Sequence, residues 1–165
     1  MIKVIVFVAS LLLSLPTTLV AQTNGAICYQ PLAQCSSSHS FAAYQLPFVI
    51  KEKLEFGKSY RSEEFYGVVL KSVKAVGDPD CSFVSEEERL AAQKVWPTRK
   101  VFSSHFNCSE ELIVYENVDQ NFNFLAVYAG KTLNEARRVL SEVKTNPRYS
   151  QAYLKRMRVV LEYST

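Results

Sequence analysis

Hydrophobic and polar positions change period several times along the chain, and each change marks an element. The first block, Val4 to Leu15, is 12 residues long and apolar apart from Ser10 and Ser14. It follows the singly basic start Met1-Ile2-Lys3 and ends at Pro16. It falls short of the about 20 residues that a bilayer span needs. A charged start, a short apolar run and a small, polar exit are the layout of a secretory signal peptide, with cleavage expected after Ala21. A buried N-terminal helix is the competing reading. Residues 22–40 are polar and small and form a leader, and residues 41–165 are read as one domain.

Within that domain Phe48, Ile50, Leu54 and Phe56 alternate with other residues, Glu52 being the one lapse, and predict a half-buried strand. Gly57-Lys58 predicts a turn. The segment 63–76 reads as a longer strand in which Gly67 marks a bulge or the close approach of another backbone. Ser85 and Glu88 have capping-box spacing, so a helix is expected from there to Trp96, ended by Pro97, with Leu90, Ala91 and Val95 turned inward. Segments 100–106, 112–118 and 122–130 read as three strands with short connections, an antiparallel meander. Gly130 permits a sharp exit, and Thr132 with Glu135 has capping-box spacing again. Leu133, Ala136, Leu140 and Val143 then line one face of a second helix, which Asn146-Pro147 ends. In the last strand, 152–163, Met157, Val159 and Leu161 alternate with Arg156, Arg158 and Glu162.

Helices separated by strands predict an α+β fold. The sheet is expected to be antiparallel with both helices on one face, in a split-βαβ (ferredoxin-like) arrangement with an extra N-terminal strand and an inserted hairpin. The strand 122–130 would be central. If Leu125 and Val127 face the helices, then Phe122, Phe124 and Tyr128 point to the other face, where exposed rings could stack on sugars or dock a protein. The alternative is that the N-terminal strand or the leader covers them.

Composition narrows the functional classes. Removing the signal peptide with Lys3 leaves 18 basic and 16 acidic residues, a balance that, with export, argues against nucleic-acid binding. No second apolar block is long enough to make an integral membrane protein. Cys28, Cys35, Cys81 and Cys108 form an even set in an exported chain and read as disulfides. Three pairings are open, and the spacing favours Cys28–Cys35 and Cys81–Cys108; the second would contribute roughly 3 kcal/mol by closing a long loop. Zinc on Cys28, Cys35 and His39 is disfavoured by a cysteine spacing too wide for a zinc knuckle.

Catalytic signals are weak. His39 and His105 are the only histidines, and Ser103 and Ser104 near His105 lack a recognisable third group or nucleophile elbow. The acidic runs Glu63-Glu64, Glu86 to Glu88 and Glu110-Glu111 sit at turns or helix starts, where they read as solvated. The expectation is therefore no enzyme, no metal and no cofactor. The C-terminal third differs: Lys131 to Arg158 holds eight basic residues against Glu135 and Glu142. Such asymmetry fits an anionic partner, or else a solvated helix back.

The stretch Phe124 to Lys144, with Val127-Tyr128-Ala129-Gly130, then Glu135-Ala136 and Val139-Leu140, resembles the second repeat of the sporulation-related repeat (SPOR) domain. The resemblance covers residues 122–163; the first half of the chain departs from it, ending its strand without a glycine-aromatic corner. It implies an envelope protein that binds peptidoglycan glycan strands lacking stem peptides. The expected function is thus non-catalytic binding in the periplasm or outside the cell, through Phe122, Phe124, Tyr128, Arg156 and Arg158. A periplasmic protein-binding adaptor or an enzyme inhibitor is the alternative.

Overall fold

The computed structural model describes residues 46–48, 57–77, 81–106 and 113–163. Among them the strands are β1 (Lys58–Arg61), β2 (Phe65–Lys74), β3 (Val101–Ser103), β4 (Ile113–Glu116), β5 (Phe122–Gly130) and β6 (Tyr153–Tyr163). The helices are α1 (Glu86–Val95) and α2 (Leu133–Lys144), and a 3-10 turn covers Pro147–Tyr149. The fold is α+β: one antiparallel sheet in the order β1-β6-β2-β5-β3, with β4 also paired to β6. β2 and β3 both run antiparallel to the β5 between them, and β5 and β6 both run antiparallel to the β2 between them. Each helix therefore crosses over one strand.

Two glycines sit where a side chain would collide, one of them at the start of the α2 crossover. Gly130 has φ +102, a value side-chain-bearing residues rarely adopt. A Cβ there would also lie 2.7 Å from Glu135 Oε2. The space is needed because Glu135 folds back to accept from the Thr132 N–H (3.1 Å) while its own N–H donates to Thr132 Oγ1 (3.3 Å), the complete capping box of α2. Gly67 sits where the β2–β5 register slips, and a Cβ there would meet Met157 Cε at 2.8 Å. The bulge expected at Gly67 is present, whereas the close neighbours are the side chains of Met157 and Phe102 rather than another backbone. At α1 only half of the expected box forms. Ser85 Oγ accepts from the Glu88 N–H (3.2 Å), but the Glu88 carboxylate instead meets Lys71 (2.8 Å) and Arg148 (3.4 Å).

The sheet has a core on each side. Val68, Val101, Leu125, Val127 and Ala129 pack with Ala92 and Trp96 at α1 and with Ala136, Val139 and Val143 of α2. Both helices thus serve the side that carries Leu125 and Val127. On the other side Phe65, Phe102, Phe106, Phe124, Tyr128, Met157, Val159 and Leu161 pack with Ile113 and Tyr115 of β4 and with Leu46 and Phe48. This second core corrects the expectation of an open face. The parity of Phe124 and Tyr128 is as read, but they are only 4 % and 6 % exposed.

The meander is corrected as well. β3 pairs β5, while β4 pairs the C-terminal half of β6, from Ile113↔Leu161 to Glu116↔Arg158. β6 is 11 residues long: β2 pairs with it as far as Met157, β1 continues along the same edge from Val160, and β4 pairs Arg158 to Leu161. The coil of the sheet then brings Tyr115 over its own far strands: its ring lies 5.6 Å from Phe102 and 5.1 Å from Phe124. Removing these rings from water is the driving force for closing the face. The expected N-terminal strand falls largely on residues 49–56, outside the described residues; Phe48 itself is buried.

α1 turns a polar face inward. Its buried residues are Arg89, Ala92 and Gln93, whereas Ala91 and Val95 are exposed and Leu90 is half-buried. The reason is the edge of β3. The Val101 N–H donates to Gln93 Oε1 (2.9 Å), and Arg89 Nη1 donates to the Val101 carbonyl (3.0 Å). Two helix side chains thus take the place of a neighbouring strand and satisfy an edge that would otherwise be left unpaired. Arg89 is neutralised by Glu86, to which Nε and Nη2 donate at 2.7 Å each. In α2 the inward residues are Ala136, Val139 and Val143, with Leu140 half-buried and Leu133 exposed.

Candidate functional site

The C-terminal arginines lie beside an open cleft of about 390 Å³ lined by Glu64, Asn117, Leu154, Lys155 and Arg156. Three parts of the chain build it. β1 and β2 follow one another along β6, but the register slips by one residue between Arg61↔Val160 and Phe65↔Met157. Ser62 holds this corner: its N–H donates to the Val159 carbonyl (2.9 Å), and its hydroxyl accepts from the Val159 N–H (3.0 Å). Glu64 projects from the corner. Arg156 and Arg158 sit two residues apart on β6 and so share a face, about 7 Å apart along the strand. Asn117 ends β4 with φ +65, a left-handed conformation uncommon outside glycine.

These groups converge on one carboxylate. Arg156 Nη2 pairs with Glu64 Oε2, Arg158 Nη2 lies 3.8 Å from Oε1, and Asn117 Nδ2 donates to Oε1 at 3.3 Å. Arg156 keeps 59 % of its side chain in solvent and Arg158 33 %, against 27 % for Glu64. The Arg158 Nε is buried without an acceptor. Lys155, Arg156 and Arg158 against Glu64 leave an excess of two positive charges. The neighbouring pairs Arg61–Glu116 (3.2 Å) and Lys131–Glu63 are each neutral. The Lys131 ammonium, hydrogen-bonded to Glu63, holds that carboxyl below the usual carboxylate range. Tyr66 is the cross-strand partner of both Arg156 and Gly130, which places a half-buried ring beside the cleft.

The structure divides the five residues expected to bind. Arg156 and Arg158 come together at the cleft. Phe124 and Tyr128 are interior: Phe124 lies between Phe102 (6.0 Å), Phe106 (6.3 Å) and Tyr115 (5.1 Å), and Tyr128 stacks on Phe65 at 5.6 Å. Phe122 is 43 % exposed but pairs with Lys74, eight residues along β5 from Gly130, roughly 27 Å from the arginines. Glu64 and Asn117 were not among the expected residues. Much of the basic surplus of the last third is met inside the fold, where Lys131, Arg148, Arg156 and Arg158 reach Glu63, Glu88 and Glu64. Cys81 is disulfide-bonded; Cys28, Cys35 and Cys108, and His39, lie outside the described residues.

A second polar cluster surrounds β3. Ser103 Oγ lies 3.4 Å from His105 Nε2, and Phe83 stacks on the imidazole at 4.2 Å. Burial holds the His105 pKa below its ordinary value, against a weaker opposing pull from Glu86. Ser103 is buried, and both oxygens of Glu86 already bond Arg89. Asn123, wholly buried, accepts from the Phe106 N–H and from Ser104 Oγ (3.2 Å), and donates to the Ser82 (2.6 Å) and Phe106 (3.1 Å) carbonyls. Lys100 is buried nearby; desolvation and the Arg89 charge lower its pKa to about 8. With their hydrogen bonds directed inward, these groups tie β3 to α1 and β5.

Among the described residues no group of histidine, cysteine, aspartate and glutamate side chains could hold a metal ion, and no helix is long and apolar enough to cross a membrane. Comparison with family models, curated proteins and solved structures finds no match to this chain.

Proposed function

We propose that this is an exported, non-catalytic binding protein of the bacterial envelope, whose ligand is a peptidoglycan glycan strand held at the Glu64–Arg156 cleft. The observation that carries this reading is the convergence of Arg156, Arg158 and Asn117 on Glu64, from three distant segments, at one open hollow. A cleft with a few convergent polar groups, most of them donors, suits the oxygen-rich surface of a saccharide. The strand order β6-β2-β5-β3, with α1 between β2 and β3 and α2 between β5 and β6, supports the split-βαβ (ferredoxin-like) arrangement and agrees with the SPOR resemblance. The non-catalytic reading is supported by Ser103, which is buried, and by Glu86, which is committed to Arg89. Export rests on the N-terminal apolar run and on the disulfide at Cys81.

The test is retention of the mature chain on purified cell-wall sacculi, with and without amidase treatment. Retention that rises after amidase treatment is expected. No retention on either preparation eliminates glycan binding. A second reading, a protein-docking adaptor or inhibitor, is favoured by the exposed Phe122 and Val76 at the opposite end of the β2–β5 pair. It predicts that Phe122→Ala abolishes function while R156A leaves it intact.

A further inference from the structure

We infer that the group read by the cleft is a carboxylate carried on a sugar, seated between Arg156 and Arg158, and that Glu64 occupies its place in the free protein. The inference rests on the glycan-binding reading above and adds the chemistry of recognition. The hollow is rich in donors and poor in acceptors. Arg156, Asn117 and Lys155 line it, Arg158 stands beside it against Glu64, and Glu64 is the single carboxylate among them. Each guanidinium has five N–H groups in a planar fork suited to a carboxylate. Glu64 engages them incompletely: Arg158 stands 3.8 Å away, beyond hydrogen-bond distance, and its Nε has no acceptor. An incoming carboxylate makes the same kind of bond and supplies the negative charge that the surplus of two cations lacks.

This chemistry also distinguishes two states of a wall glycan. A sugar acid joined to a stem peptide is an amide and carries no charge there. Amidase hydrolysis adds water across that bond, releases the peptide amine and leaves a free carboxylate. A cleft that reads charge therefore favours the stripped strand over the intact one.

The experiment uses the mature chain and amidase-stripped glycan strands in two forms, one with free acid groups and one capped as neutral methyl amides by carbodiimide coupling. The expected result is retention on the free form and at least tenfold weaker retention on the capped form. R156A/R158A, with its fold checked by circular dichroism, should fall to the capped level on free strands. E64Q, which removes the internal charge, should bind at least twofold more tightly. Equal retention on both forms overturns the carboxylate assignment while leaving glycan binding intact; retention on neither overturns both. Undiminished binding by R156A/R158A overturns the site, and weaker binding by E64Q overturns the role of Glu64. If polyglutamate at equal carboxylate concentration displaces the strands completely, the sugar assignment is overturned in favour of an acidic peptide.

Discussion

Replacing Phe124 with alanine separates an interior ring from an exposed stacking platform. In the fold described, the ring meets Phe102, Phe106 and Tyr115 edge-on, at 6.0, 6.3 and 5.1 Å with interplanar angles of 89°, 62° and 76°. Each such pair is worth about 0.5–1.5 kcal/mol beyond simple burial. Truncating a buried phenylalanine costs about 3–5 kcal/mol once the residual cavity is included. That is a large part of the roughly 5–15 kcal/mol that holds a domain folded. Trp96, the only tryptophan, is buried against Tyr149 at 5.0 Å and reports unfolding by fluorescence. With a urea slope of about 2 kcal/mol per molar, F124A should lower the midpoint by roughly 2 M. Phe122→Ala, on the same strand face but exposed, should stay within about 0.5 kcal/mol of the parent protein. If F124A is as mild as F122A and instead abolishes glycan retention, the ring is outside and the closed aromatic core is refuted.

Other consequences are narrower. Q93L removes the Gln93 bonds to the Val101 N–H and the Arg99 carbonyl, and one of the two bonds to the Trp96 carbonyl, and should cost about 1–3 kcal/mol in the same urea assay; no loss would mean that α1 does not cap the edge of β3. G130A forces a side chain into φ +102 against Glu135 and should lose about 1–3 kcal/mol, seen as a lower melting temperature. T132A removes one half of the α2 cap and should cost about 1 kcal/mol. Lys100 binds its proton less readily folded than unfolded, so the unfolded chain holds more protons between pH about 8 and the ordinary lysine range, and stability should rise with pH across that window. K100M should flatten the rise, and a parallel slope in wild type and K100M would contradict the assignment.

What the sequence disclosed depended on whether the deciding contacts were local. The span of β5, the capping box of α2 and the alternation of β6 were legible because each is set by neighbours a few residues apart. α1 was located correctly but turned wrongly, since apolar periodicity cannot reveal a helix whose inward face is Arg89 and Gln93. Those residues are buried because the edge of β3 needs partners, a demand that arises only in the assembled sheet. The destination of β4 was illegible for a similar reason: Ile113 and Tyr115 alternate as any strand would, and their pairing with β6 is a long-range contact that arises only in the assembled sheet. At the cleft, Arg156 and Arg158 stood out as a charge cluster. Glu64 was read as solvated, although a basic C-terminal third opposite an acidic remainder was itself a sign that the two would pair across the fold. Asn117 gave no sign, because its left-handed backbone is a product of the turn.

The most direct test of the binding account is a backbone and guanidinium NMR titration of the mature chain with amidase-stripped glycan strands. The account predicts that the largest shifts fall on Glu64, Asn117, Lys155, Arg156 and Arg158, with Phe124 and Tyr128 unmoved. Shifts centred on Phe122 and Val76, with the arginine signals unchanged, would contradict it.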